Sequence, residues 1–275
     1  MSGHQFQKKI NILNSNLTYT MNRILTCSIL LLGVYQTMLA QVWVSQPKRA
    51  DMWHENPSLS FQSGQSTGII INSQTTFQSI DGFGYTLTGG SADVILALAP
   101  AERTSLLHEL YGTQAGQMGI SVLRLGVGAT DLDGEAYSYD DIAGDVSLRK
   151  FNLAKALEWN LANDSNFGPI TPGGCTKCKG ALTISKEGEI SRNQAYYIIG
   201  QASRIIPTGS VRIDLQGLPK GLNGTAAKRP DGKIALILQN ETSKLITTNL
   251  NLTGKYAEVA IPEEGVASIL VDARR

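Results

Sequence analysis

Cysteine and histidine are scarce, with three of each in 275 residues, and that scarcity excludes several chemistries. A structural zinc site takes four ligands, mostly Cys and His. Beyond the pair Cys175 and Cys178, the body of the chain offers only His54 and His108, which form no ligand-like pair. Neither histidine has the setting of a catalytic base, and there is no Gly-x-Ser-x-Gly stretch, so a nucleophilic triad is not expected. Basic runs do not exceed pairs such as Lys48-Arg49, Lys228-Arg229 and Arg274-Arg275, in a chain of net charge +1. Phosphate binding relies on clustered Lys and Arg, so no nucleic-acid partner is expected. No cofactor is expected either. "GFGYTL" has Leu87 where a dinucleotide fingerprint needs its third glycine, and "GVGATD" ends in Asp131. In "DLDGEAYSYDD", Gly134 is fourth from Asp131, whereas a calcium loop of the EF-hand kind needs glycine sixth.

Long apolar runs are lacking too. The longest, Ile24 to Val34, falls well short of the about 20 residues that cross a bilayer, so no transmembrane segment is expected. Within "MNRILTCSILLLGVYQTMLAQ" this run follows Arg23 and precedes the small residue Ala40, the pattern of a signal peptide over residues 21–40. Export to the periplasm or extracellular space is the expectation, with Met21 as the start, residues 1–20 as a polar leader and Gln41 as the first mature residue. Cys27 would leave with the signal. Cys175 and Cys178, in "GGCTKCKG", have the spacing of half a zinc site, a redox pair or a small-loop disulfide. An exported chain favours the disulfide.

The composition, 42% hydrophobic and 17% charged, is that of a soluble chain with one large or two small domains. "GIIINSQTTF" predicts strand, turn, strand. A helix is expected from near Ser91, and a second from Pro100 to Gly112 with Leu106, Leu107 and Leu110 on one apolar face. The run Val122, Leu123, Leu125, Val127 predicts a strand buried on both sides. Strand, helix, strand is the start of a βα barrel or doubly wound sheet, but the alternation stops after Lys150. From Ala181 onward, "GALTIS", "GSVRIDLQG", "DGKIALILQN", "KLITTNLNL", "YAEVAI" and "ASILVD" predict short strands of an antiparallel sandwich, completed by strands before Ile80. Asn-x-Ser/Thr triplets stand at Asn16, Asn163, Asn223, Asn240 and Asn251. Glu158, beside Trp159, invites a reading as one of the paired carboxylates of a glycosidase. The alternative is a strand residue that meets a cation or water, and spacing alone leaves both open.

"IDGFGYTLTGGSA", "GISVLRLGVGATDLDGEAYSYDD", "LEWNLANDSNFGP" and "GGCTKCKGALTI" together resemble glycoside hydrolase family 30, the glucosylceramidase-like enzymes. The resemblance implies a (β/α)8 barrel flanked by a β-sandwich built from both chain ends. It also implies a retaining β-glycosidase acting on glucosylceramide or related β-glucosides. Residue by residue, it places Arg124 and Asp131 on the second barrel strand and the loop after it, where they support the nucleophile and hold sugar hydroxyls. Trp159 falls on the last barrel strand, lining the sugar subsite. Glu158 matches an acidic position that is neither catalytic carboxylate.

The family's acid/base glutamate lies in an Asn-Glu-Pro motif on the fourth strand, and its nucleophile ends the seventh. Here no Asn-Glu-Pro occurs, and Ile80 to Asp164 is far shorter than the about 250 residues of a complete barrel. The expectation is therefore a sandwich plus a barrel remnant of strands one, two and eight, joined near Ala154–Lys155, with no catalytic residue. Residues 41–79 and 170–275 would form the sandwich and 80–169 the partial barrel. The chain would be an inactive relative of the glycosidases or, alternatively, a non-catalytic sandwich module that contacts glycans or lipid surfaces.

Overall fold

The computed structural model describes residues 37–46, 52–126, 129–134 and 155–273. The predicted leader, the signal peptide up to residue 36, Asn16 and residue 154 of the predicted junction lie outside these.

In chain order the first strands are β1 (Leu39–Ser45), β2 (His54–Ser60), β3 (Gln62–Ser63), β4 (Gly68–Ile80) and β5 (Gly82–Leu87). Helices α1 (Gly89–Leu96) and α2 (Pro100–Tyr111) follow, then β6 (Val122–Leu125), β7 (Lys155–Asn160), β8 (Ala162–Asn163), β9 (Leu182–Ile184) and β10 (Ile190–Arg192). Helix α3 (Gln194–Ser203) precedes β11 (Ser210–Gln216), β12 (Leu222–Lys228), β13 (Ile234–Asn240), β14 (Ile246–Leu252), β15 (Lys255–Ile261) and β16 (Val266–Val271).

Ten strands form one sheet in the order β2-β1-β16-β13-β12-β11-β4-β14-β15-β3. Period-two alternation explains its core. Val42 and Val44, Leu236 and Leu238, Val259 and Ile261, and Ile269 and Val271 all turn to one side, where they form a single buried cluster. Both chain ends contribute, as expected, but one pairing departs from the antiparallel expectation. β14 runs parallel to β4, with Leu250 opposite Ile69. β4 arrives from the other chain end, so no hairpin dictates its direction. The strand, turn, strand expected of "GIIINSQTTF" is one strand with a bulge. Asn72 and Thr76 pair with the adjacent residues Asp214 and Ile213, while Gln74 N–H donates to Asn72 Oδ1 at 3.1 Å inside the bulge. β1 begins at Leu39, inside the stretch assigned to the signal peptide, and Ala40 is fully buried.

The remaining elements gather around a three-stranded sheet of order β6-β5-β7, in which both pairings are parallel, with β8, β9 and β10 forming a second small sheet. The Thr88 side chain caps α1 by accepting from Ser91 N, the usual use of threonine at this position. Pro100 opens α2 and Gly112 ends it. Leu106 and Leu110, one turn apart, are buried, whereas Leu107 points outward, 39% exposed, against the expected three-residue face. The strand expected to be buried on both sides is an edge. Only β5 pairs with β6 among the described residues, and Leu125 is 62% exposed.

Helix α3 and strands β8, β10 and β12 have no counterpart in the sequence-based expectation. Tyr85 donates its hydroxyl to Ala195 O at 2.9 Å, which ties α3 to β5. Arg192 Nε donates to Glu109 Oε1 at 2.6 Å, and the Tyr196 hydroxyl bonds the same carboxylate, which ties α3 to α2. Partial burial pushes the Glu109 pKa up, but the bonds from Arg192 and Tyr196 and the Arg192 charge outweigh it and hold the carboxyl below its ordinary range.

Candidate functional site

In parallel α/β architectures, sites form beyond the C-terminal ends of the strands, and here that edge is made by β5, β6 and β7. Thr86 on the central strand pairs with Arg124 on one side and Asn160 on the other. The register slips just before it, because Tyr85 pairs with Glu158 and Thr86 with Asn160. Trp159 is therefore the extra residue of a bulge, the local device that re-aims a side chain. The result spans β5: the Arg124 guanidinium carbon lies 5.0 Å from the Trp159 ring centroid, within cation–π range.

A buried polar hub fixes this edge from below. Ser91 Oγ donates to Asn160 Oδ1 at 2.5 Å and accepts from Ala162 N at 3.0 Å. The Thr88 hydroxyl also reaches Asn160 Oδ1, at 3.2 Å. The start of α1 is thus pinned to the end of β7, which limits how far Trp159 can move. Asn160 Nδ2 and Asp133 Oδ1 are buried without a hydrogen-bond partner among the described residues.

The loop after β6 closes on the same helix start. Asp133, 2% exposed, accepts from Thr130 N at 2.5 Å and from Thr130 Oγ1 at 2.7 Å. A Cβ on Gly89 would stand 1.8 Å from Asp133 Oδ1, so only glycine admits the carboxylate there. Asp131 is exposed on this loop, and its carbonyl accepts from Thr171 N at 3.3 Å. Thr171 leads into the loop bearing the Cys175–Cys178 disulfide, whose Cα atoms are 5.6 Å apart. That loop is held from the other side by Asn163 Nδ2, which donates to Cys178 O at 2.8 Å.

The structure thus brings Arg124 and Trp159 into contact, sets Asp131 on the adjoining loop and joins Cys175 to Cys178. For Glu158 it gives the backbone pairing with Tyr85, while the side chain lies outside the described residues. Asp133, Asn160, Thr88 and Ser91 were not anticipated. Asp133 carried a signal in principle, since Leu132 between two acids is too apolar for a fully solvated loop. The Asn-x-Ser/Thr triplets separate as well. Asn163 is buried with its amide engaged, Asn240 Nδ2 donates to Lys244 O at 2.7 Å, and Asn251 Nδ2 donates to Ile69 O at 3.2 Å, whereas Asn223 is exposed. Among the described residues no cluster of three or more His, Cys, Asp or Glu is placed to hold a metal. No helix among them is long and apolar enough to cross a membrane.

Two family models match in chain order. The glycosyl hydrolase family 30 TIM-barrel domain matches residues 80–162, and the family 30 beta sandwich domain matches residues 209–269. Together they cover just over half of the sequence; the first contains β5 to β7 and the second β11 to β15 with most of β16. The chain belongs to glycosyl hydrolase family 30. It is similar to the endo-1,6-beta-D-glucanase of Neurospora crassa, with 40% identity over 79 residues, 28% of this chain and 16% of that protein. It is similar also to the lysosomal acid glucosylceramidase of Mus musculus, with 30% identity over 89 residues, 32% of this chain and 17% of that protein. The chain thus spans under a fifth of the length of these two relatives. Among solved structures, an endo-beta1,6-glucanase superposes with a TM-score of 0.72 at 14% identity, over 84% of this chain and 98% of that chain. That likeness speaks for the fold alone.

Proposed function

We propose that the chain is an exported family 30 member that holds a β-glucoside, in glucosylceramide or a related glycoside, at the open edge of the β6-β5-β7 sheet without hydrolysing it. The observation that carries this reading is the Arg124–Trp159 pair, 5.0 Å apart at a bulge fixed by the Asn160 hub. An aromatic face supplies a platform for a sugar ring, and a guanidinium beside it supplies donors to hydroxyl oxygens. Asp131, exposed on the adjoining loop, adds an acceptor. Three parallel strands of the barrel type stand here, corresponding in this reading to strands one, two and eight.

Hydrolysis needs more than positioning. A retaining mechanism requires a nucleophile and a separately tuned acid about 5–5.5 Å apart across the glycosidic bond. The positions that carry them in the family have no counterpart in this sequence, and absence of the general acid alone costs about 10²–10⁴-fold. Glu158 would have to play both roles. For export, cleavage upstream of Met38 would keep β1 whole, since Met38 and Ala40 are core residues of the sandwich.

The test has two arms. In a fluorogenic aryl β-glucoside assay and a glucosylceramide assay, the protein is expected to give no turnover above a boiled control. Turnover that disappears in Glu158→Gln would contradict the reading of inactivity. In an NMR titration with phenyl β-glucoside, the amides of Arg124 and Trp159 are expected to shift in a saturable way. Their silence would contradict the reading of binding.

A further inference from the structure

A concave region elsewhere in the molecule shares none of the residues of the strand edge. On β1, Ala40, Val42 and Val44 take the sandwich core, so alternation turns Gln41 and Trp43 to the opposite face. Cross-strand register sets Glu55 on one side of Trp43 and Ser268 on the other, with Leu270 opposite Gln41. Helix α3 is fastened onto this face, the Ser268 hydroxyl donating to Gln201 O at 2.9 Å. Between this face, the end of α3 and the loop after α2 lies a cavity of about 380 Å³. That is within the about 300–1,000 Å³ of small-molecule sites.

Its wall is rigid on the aromatic side. Trp53 has φ 64, a conformation that a bulky residue keeps only where its surroundings over-determine it. Arg204 lies 4.0 Å over its ring centroid, and Tyr197 meets it edge-on at 5.4 Å. A Cβ on Gly200 would fall 1.7 Å from Trp53 Cζ2, so the indole is seated directly on the helix backbone.

The polar side is unspent. Among the described residues, the Glu55 carboxylate, the Arg204 guanidinium and the side-chain amides of Gln41 and Gln114 have no hydrogen-bond partner, yet all four line the cavity. The remaining guanidinium, Arg229, is already bonded to Asp231 at 3.1 Å and to Ile205 O at 2.8 Å. Charge is balanced: Glu55 opposes Arg204 in the lining, and Arg229 is neutralised by Asp231 just outside it. A neutral ligand is therefore favoured over an ionic one.

We propose that this cavity is a second binding site, and that its ligand is a neutral glycan segment of one or two sugar rings. The C–H face of a pyranose is positively polarised and suits the electron-rich indole face of Trp43, which lines the cavity. Neighbouring hydroxyls both donate and accept, which matches a carboxylate, a guanidinium and two amides set around one space. This site is independent of the reading of the β6-β5-β7 edge. Either can fail alone.

The test is an NMR titration of the full chain with gentiobiose, a β-linked glucose disaccharide. Saturable shifts are expected at the amides of Trp43, Glu55 and Gln114. In Glu55→Gln and in Gln114→Ala, both at exposed positions that the fold does not require, the affinity read from these shifts should fall by about tenfold, the effect of one lost polar contact. In Trp159→Ala it should be unchanged. The proposal is overturned if the wild-type protein shows no shifts at these amides. It is overturned equally if those shifts appear but neither Glu55→Gln nor Gln114→Ala weakens them.

Discussion

The sandwich and the barrel-type region use the same raw material to opposite effect. In the sandwich each inner strand has a neighbour on both sides, and β13 lies between β12 and β16 with Ile234, Leu236 and Leu238 all buried. In the other region β6 has a single described neighbour, and its leucines Leu123 and Leu125 are 38% and 62% exposed. Both runs read as core strands by composition. What differs is whether the other described residues supply strands that flank them on both sides. An apolar strand is only a request for partners, and among the described residues the sandwich answers it more fully than the barrel-type region does.

That comparison can be broken by substitution. The largest effect is expected in the sandwich: Leu236→Ala should cost about 2–5 kcal/mol, read from chemical denaturation, because the cavity it leaves cannot collapse between paired strands. A near-zero cost there would remove the basis for calling the sandwich the stable unit. Next comes the tie between α2 and α3. Glu109→Gln removes a charge-assisted acceptor for Arg192 and Tyr196, for an expected loss of about 1–3 kcal/mol.

The same group sets a pH dependence. Because the folded pKa of Glu109 lies below the unfolded value of about 4.3, its contribution is complete above that value and is lost as pH falls through the folded pKa. Acid unfolding monitored by circular dichroism should therefore show a weaker stability loss below about pH 4 in Glu109→Gln than in the parent. Identical acid limbs would show that the bond is immaterial.

Smaller still is the disulfide. A loop closed by residues three apart confers at most about 2 kcal/mol by chain entropy, so replacing Cys175 and Cys178 with serine should lower the denaturation midpoint only modestly. Intact mass without reductant should find the pair two hydrogens light, and two free thiols would contradict the pairing. The smallest effect is expected at β6, where Leu125→Ala should stay within about 0.5 kcal/mol. A cost as large as that of Leu236→Ala would mean that the edge is covered after all.

In the C-terminal half β9, β11 and β13 to β16 were legible because period-two alternation acts locally, whereas β10 and β12 were not. The parallel pairing of β5 with β6 and β7 was expected from the family resemblance, since a closed barrel makes its first and last strands neighbours. Three larger features were not legible either. Helix α3 was missed because its burial is two-sided: Tyr196 and Ile199 pack in the cluster of Tyr85 while Gln201 meets Ser268 of the sandwich. No single apolar stripe marks it. The parallel β4–β14 pairing depends on two segments far apart in the chain, which local patterning cannot register. In the candidate site, Arg124, Asp131 and Trp159 came from the resemblance. The Asn160 hub and Asp133 depend on a bulge and a glycine contact that exist only once the sheet has formed.

The most direct test of the contrast between the two regions is native-state hydrogen exchange on the intact chain. Amides of "KIALIL" and "ASILVD", each paired in the centre of the sandwich sheet, should exchange only through the largest unfolding events. Those of "SVLRL" in β6 should exchange through local opening, orders of magnitude faster. Equal protection in the two regions, or slower exchange in β6, would contradict the account.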